Sequence, residues 1–330
     1  MPNLEVALLG SFSASLNDAP LKAFRTKAVQ ALLIYLVCQP DEAHRREFLM
    51  SLLWPGLPQK SAQASLRQTI YLLRQAIPEA ETKDGRNAAP FLISDRQAIQ
   101  VNPELAYELD VATFEALLAG PVEGWTEAVD LYRGDFLAGF YLPDSAPFEE
   151  WVLARREALR RRVLAALERL AGLALASADY ATAEEVARRQ IEIDELRENA
   201  YRQLMTALAL TGRRTDALTH YDKLRQLFEN ELAAEPSAET LSLYEHILSD
   251  NLDGLAQKDQ ASAPTPQAPL PTPKSPRTSL PAFLQQESKA ERERPVFVGR
   301  EVELERLAEE LGLALEGDGR ILFVTGDAGN

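Results

Sequence analysis

A mainly α protein is the fold class this sequence predicts: an N-terminal winged helix-turn-helix (α+β) followed by an all-α domain of TPR-like repeats. Three observations predict it. Within the first hundred residues, short alternating apolar segments, three helix-length stretches and a hairpin-like segment follow in that order. The third helix-length stretch, SAQASLRQTIYLLRQAI, has an outer face with Arg and Gln and no acid. Beyond Tyr107 the apolar spacing reads as helical throughout, and a 34-residue period appears within it.

The elements follow in chain order. Leu4, Val6 and Leu8 alternate, as do Phe12, Ala14 and Leu16, with Gly10 and Asn17-Asp18 as turn residues. This predicts two or three short antiparallel strands. Thr26 caps a helix over 27–38 that turns Ala28, Leu32, Tyr35 and Leu36 inward, and Gln39-Pro40 ends it. A second helix, about 44–54, directs Phe48, Leu49, Leu52 and Leu53 to the core and stops at Pro55-Gly56.

After the short connection PGLPQK, the third helix spans 61–77, with Ser61 as N-cap and Pro78 as stop. At 100° per residue, Ala62, Leu66, Thr69, Ile70, Leu73 and Ile77 share an apolar face. Ser61, Ala64, Arg67, Gln68, Tyr71 and Gln75 fall opposite, with Gln63 and Arg74 on a flank. Arg and Gln carry the forked donors and acceptors that match base edges in the major groove. A polar loop over 79–90 leads to FLISDRQAIQV, in which 91–93 and 98–101 bracket the turn Asp95-Arg96-Gln97 as a hairpin. In a winged helix of this order, the third helix enters the major groove and the hairpin reaches the neighbouring backbone.

The stretches DVATFEALLAG, 125–140 and 148–178 all carry apolar residues at helical spacing. Ala183 and Ala217 lie 34 residues apart, each after a turn, and Leu170 and Ala174 match Leu204 and Leu208 at the same offset. A helix–turn–helix period of this length is the signature of tetratricopeptide repeats, which bury by stacking what one repeat cannot bury alone. The arginines at 155, 156, 160, 161 and 162 read as an ion-paired face.

Charge separates these regions. The net charge of −15 divides into +1 over 1–104 (11 basic, 10 acidic residues), −12 over 105–250 (15 and 27) and −4 over 251–330 (9 and 13). Residues 43–78 hold Arg45, Arg46, Lys60, Arg67 and Arg74 against Glu47 alone. Distribution decides partners more than the total does. No apolar run is long enough to span a bilayer, and the N-terminus lacks the pattern of a signal peptide, so a cytoplasmic protein with no membrane partner is expected. The lone Cys38 excludes an internal disulfide and reads as a small core residue; three scattered His give no metal-ligand spacing. No nucleophile–base pair or complete phosphate loop is evident, so no enzyme is expected.

The predicted organisation is a winged helix over 1–104, a helical domain over 105–250, a Pro-rich disordered linker over 251–294 and a further segment over 295–330. In that last segment, residues 321–325 read as a strand running into GDAGN, where Gly326 and Gly329 occupy the opening of a G-x-x-x-x-G-K-[ST] phosphate loop. Its Lys and Ser/Thr are missing. No cofactor is therefore expected for this chain, and ATP with Mg²⁺ only in a longer parent protein.

The run RTKAVQALLIYLVCQP…LLWPGLPQKSAQASLRQTIYLLRQAI resembles the DNA-binding domain of SARP-type bacterial regulators. The stretch DLYRGDFLAGFYLPDSAPFEEWVLARREAL, the repeats and ELAAEPSAETLSLYEHI are similar to the bacterial transcriptional activator domain that follows it in that family. PVFVGRE before the last strand resembles the entry to AAA/STAND-type ATPases, which follow these two domains in large members. Asp41-Glu42 and a short wing with Arg96 as its only cation depart from the family pattern. The resemblance implies a transcriptional activator that binds double-stranded DNA at promoter direct repeats, self-associates head to tail on it and engages RNA polymerase.

On this reading Gln63, Arg67, Gln68 and Tyr71 contact bases, and Arg25, Lys27, Arg45, Arg46, Lys60, Arg74 and Arg96 contact phosphates. For Arg74 the flank position leaves an intraprotein pair open as well. Two other classes stay open: a protein-interaction scaffold using the acidic repeats, and the input arm of a nucleotide-driven signalling ATPase.

Overall fold

In the computed structural model the described residues are 4–21, 24–40, 42–77, 79–81 and 88–251. The linker expected over 251–294, apart from its first residue, and the glycines Gly326 and Gly329 lie outside them. Strands β1 (Leu4–Ala7), β2 (Ser13–Leu16) and β3 (Ala19–Pro20) form an antiparallel meander. Asn17 and Asp18 both have positive φ, which places β3 back along β2.

Helix α1 (Lys27–Cys38) starts at Thr26, whose side chain accepts the Val29 amide. Short strand β4 (His44–Arg45) precedes α2 (Arg46–Leu53), and α3 (Gln59–Ala76) follows after Trp54–Pro58 as the second arm of the helix-turn-helix. A small antiparallel pair, β5 (Ala80–Glu81) and β6 (Ala88–Ala89), leads to the wing hairpin β7 (Leu92–Ser94) and β8 (Ala98–Val101). Strand β4 lies against β8 with Arg45 opposite Ala98, so the wing is three-stranded.

Four sequence expectations are corrected here. Tyr107–Leu109 is not helical: it is strand β9, which pairs in parallel with β1 in the register Leu4↔Tyr107 to Val6↔Leu109 and completes the order β3-β2-β1-β9. Its hydrogen-bond partners lie a hundred residues away, where local spacing carries no signal. The helix expected over 125–140 ends at Leu131 as α5 (Trp125–Leu131). The following segment instead runs along the N-terminal sheet, with the Leu137 amide donating to the Leu8 carbonyl and the Ala138 amide to the Gly10 carbonyl.

The other two concern the helix-turn-helix. Helix α3 begins two residues before Ser61, at Pro58 as N-cap, and Ser61 makes no cap hydrogen bond. Proline's fixed φ holds the pre-helical geometry there without a side-chain acceptor. Phe48, expected in the core, is 45% exposed, and its ring lies 5.8 Å from that of Tyr35. Helix α2 is only two turns long, and Leu49, Met50, Leu52 and Leu53 already fill its inner side.

Helix α1 is more enclosed than an amphipathic stripe: every residue from Ala31 to Val37 is buried, while Ala28 is only half-buried. On one side it packs against α3, α2 and the wing strand β8. On the other, the Tyr35 ring lies 5.1 Å from Trp151 of the helical part.

The helical part consists of α4 (Asp110–Ala119), α5, the 31-residue α6 (Ala146–Ala176), α7 (Tyr180–Ile193), α8 (Glu198–Leu210), α9 (Arg214–Leu232) and α10 (Ala238–Leu248). The 34-residue period is structural. The Asp179 amide donates to the Ala174 carbonyl and the Arg213 amide to the Leu208 carbonyl, both at 2.8 Å, with positive φ at Ala178 and Gly212. Both are left-handed helix caps that turn the chain into the next helix. Ala183 and Ala217 are fully buried, which lets the paired helices approach closely.

Sequence patterning places a boundary between 104 and 105, yet one apolar cluster runs across it. Leu4, Leu33 and Leu73 share it with Phe114, Phe136, Phe148 and Val163. At about 1.5–3 kcal/mol per fully buried large apolar side chain, such a cluster holds the two parts as one body. Polar contacts reinforce it. The Asp110 carboxylate accepts the Leu8 and Leu9 amides at 2.8–2.9 Å.

Candidate nucleic-acid interface

The site begins with how α3 is seated. Leu66, Ile70 and Leu73 are buried together with Ala62, Thr69 and Ala76, as the apolar spacing requires. The opposite face is left to solvent: Lys60, Gln63, Ala64, Arg67, Gln68, Tyr71, Arg74 and Gln75 are all exposed, and no acid lies anywhere in the helix. Lys60 to Tyr71 spans about 16 Å at 1.5 Å per residue, a rod of the width and length that the major groove admits.

Local contacts order part of this face. Arg67 Nε donates to the Gln63 carbonyl at 3.2 Å, so the side chain lies back along the helix with its terminal nitrogens making no hydrogen bond among the described residues. Gln75 Nε2 donates to the Tyr71 hydroxyl at 2.8 Å and steadies a ring that is 56% exposed. Gln75 is a supporting residue that the sequence placed on the face without assigning it a role.

The wing is built by Asp95. Its Oδ1 accepts the Gln97 amide at 2.6 Å and the Ala98 amide at 2.7 Å, which closes the turn and leaves Arg96 exposed at the tip. These amide bonds hold the carboxyl below the usual carboxylate range, with the nearby Arg46 charge adding to the effect. An Asp two and three residues before bonded amides is the Asx-turn pattern, a signal readable in DRQA.

Four of the seven expected phosphate contacts gather around this wing. Arg46 Nε donates to the Asp95 carbonyl at 2.9 Å, and Arg45 sits on β4 beside β8. Arg96 caps the turn, and Arg74 Nη2 donates to Ser94 Oγ at 2.7 Å and to the Leu92 carbonyl at 3.4 Å. Arg74 therefore makes the intraprotein pair, joining the last turns of α3 to β7. Arg45, Lys60 and Arg96 are exposed and make no side-chain hydrogen bond or ion pair with the other described residues. At the start of α1, Arg25 is likewise exposed, whereas Lys27 Nζ lies 4.6 Å over the Phe140 ring, a cation–π contact with the helical part.

Four of the five arginines at 155–162 are engaged within the protein, and Arg161 is exposed. Arg155 and Arg162 both pair with Glu115, at 3.0 and 2.7 Å, and Arg160 donates to the Ile193 carbonyl. Among the described residues no group of three or more His, Cys, Asp or Glu is placed to hold a metal, and no helix is long and apolar enough to cross a membrane.

A winged helix-turn-helix with an open basic face, fused to stacked helical pairs, is the build of a transcriptional regulator. Residues 109–248 match the bacterial transcriptional activator domain. The chain is 28% identical over 267 residues to the regulatory protein DnrI of Streptomyces peucetius, an alignment that spans 74% of this chain and 92% of that protein. In fold it is similar to EmbR of Mycobacterium tuberculosis, solved in complex with a low affinity phosphopeptide, with a TM-score of 0.56, 21% identity, and 79% and 70% of the two chains covered. The activator-domain match and the likeness to DnrI support a transcriptional regulator of the SARP type.

Proposed function

We propose that this regulator binds double-stranded promoter DNA with α3 in the major groove and the wing on the adjacent backbone. The single observation that carries the reading is the acid-free exposed face from Lys60 to Gln75 in a protein of net charge −15. A face kept free of carboxylates in so acidic a chain matches a polyanion. Arg67 is the principal base reader, through the forked donors that pair with guanine O6 and N7. Gln68 and Gln63 flank it, and Tyr71 packs against a thymine methyl or a sugar. Arg25, Arg45, Lys60 and Arg96 neutralise phosphates. Arg46 and Arg74 chiefly hold the wing in place, and Lys27 holds the start of α1 to the helical part.

By likeness to the family, two copies sit head to tail on direct repeats and contact RNA polymerase. The test is selection of random duplex DNA by the full chain, with Arg67→Ala alongside. A recovered motif, repeated about one helical turn apart and relaxed in the variant, supports the reading. Failure to retain any DNA at low salt overturns it.

A further inference from the structure

We infer that Asp95 is a positioning residue for DNA binding: the turn its carboxylate builds aims Arg96 at a backbone phosphate, while its own charge opposes that contact. The inference rests on the docking of the wing proposed above. From Phe91 to Val101 the charged residues are Asp95 and Arg96 alone, so the hairpin carries no net charge. Net charge cannot draw such a hairpin to a polyanion; the placement of one guanidinium can. A carboxylate beside the hairpin's only cation weakens its pull on phosphate, so its use there lies in what it holds.

Both neighbours of Arg96 are fixed. Asp95 Oδ1 accepts the Gln97 and Ala98 amides at 2.6 and 2.7 Å, and the Asp95 amide donates to the Ala98 carbonyl at 3.1 Å. Arg46 clamps the same turn from the start of α2. Its amide donates to the Gln97 carbonyl and its Nε to the Asp95 carbonyl, both at 2.9 Å. Arg96 stands exposed between these two held residues. Fixing the backbone that carries a contact residue lowers the ordering cost of binding. One oxygen of Asp95 does this work, and an Asn there presents the same acceptor without the charge. An Ala presents neither.

The test is the affinity of the full chain for its selected duplex, by fluorescence anisotropy at one salt concentration, for the wild type, Asp95→Asn and Asp95→Ala. Asp95 is exposed, so neither change touches the core. Both remove the same charge, and charge alone predicts equal affinities. The expectation is that Asp95→Asn binds about twofold tighter than the wild type, because a like charge leaves the neighbourhood of the phosphates. Asp95→Ala should bind about fivefold weaker than Asp95→Asn, the scale of one hydrogen-bonded contact. With Arg96→Ala added to each, that gap should close. Equal affinities of the two Asp95 variants with Arg96 in place overturn the inference. So does an Asp95→Asn chain that binds more weakly than the wild type, or a gap that survives the loss of Arg96. A wild-type chain that binds no duplex at low salt overturns the docking and this inference together. Binding that Arg67→Ala weakens, with the two Asp95 variants alike, overturns this inference alone.

Discussion

The hydroxyl of Ser145, 2% exposed, donates to the carbonyl of Leu52 at 2.6 Å, across 93 residues of sequence. That carbonyl is one of the last four of α2, which have no partner inside the helix. The residue before α6 thus completes the first arm of the helix-turn-helix, and the Ser145 carbonyl in turn accepts the Glu149 amide. A side chain of the helical half thus caps α2, which packs against α3.

Ser145→Ala should therefore destabilise the chain by about 1–3 kcal/mol, the cost of leaving a buried acceptor unmade. Urea unfolding followed both by tryptophan fluorescence and by far-UV circular dichroism measures it. Because one core crosses the junction, the two probes should report coincident transitions. A loss below about 0.5 kcal/mol would mean the hydrogen bond is not what joins the halves.

Replacing Arg67 with Ala should cost about 1–3 kcal/mol of specific DNA affinity and relax preference at one base pair. Binding measured on the selected motif and on its single-base variants checks this. Unchanged affinity and unchanged base preference would place the reading helix elsewhere.

Lys60→Ala is expected to act differently. It should weaken all DNA sequences alike and reduce the slope of log K against log salt by about one. A salt titration on specific and unrelated duplexes separates the two behaviours, and a shift in sequence preference would contradict a phosphate role.

Glu184 accepts hydrogen bonds from both Arg188 and Arg213, and these, led by Arg213, hold its carboxyl below the usual glutamate range. A depressed carboxylate contributes stability above its unfolded pKa and loses it as pH falls through the folded one. The stability difference between the wild-type chain and Glu184→Gln should thus be constant near neutral pH and shrink on acidification below the ordinary glutamate pKa. Urea midpoints at several pH values test this; a difference that grows with acid would reverse the sign.

Burial pushes the Cys38 thiol up to about 12, so it stays protonated at neutral pH. Alkylation by iodoacetamide at pH 8 should run more than a hundredfold slower than that of a free thiol, because only the thiolate reacts. Rapid labelling of the native chain would show that the end of α1 is open to solvent.

Much of this protein is legible in its sequence because much of it is local. The Thr26 cap, the bounds of α1, the inner and outer faces of α3 and the Asp95-Arg96-Gln97 turn follow from residues a few positions apart. The 34-residue period likewise marks the two matching helix caps, since each cap is a short-range geometry repeated. Strand β9, by contrast, has only three residues, and it is a strand because β1 offers its edge.

The sequence by itself determined the order of the three N-terminal helices and the wing hairpin, the class of fold and the side of α3 that faces solvent, since periodicity and capping are short-range physics. Only the tertiary structure decided which basic residues are available to a partner. Arg45, Arg46, Arg74, Arg96 and Lys27 look alike as cations in a row of letters. Arg74 is held by Ser94, Arg46 by the Asp95 carbonyl and Lys27 by the Phe140 ring, while Arg45 and Arg96 remain open. The physical reason is that a charged side chain is committed by whatever acceptor or ring folding brings into contact. The acceptors of Arg46 and Arg74 arrive from 18 to 49 residues away, and the Phe140 ring reaches Lys27 from more than 100.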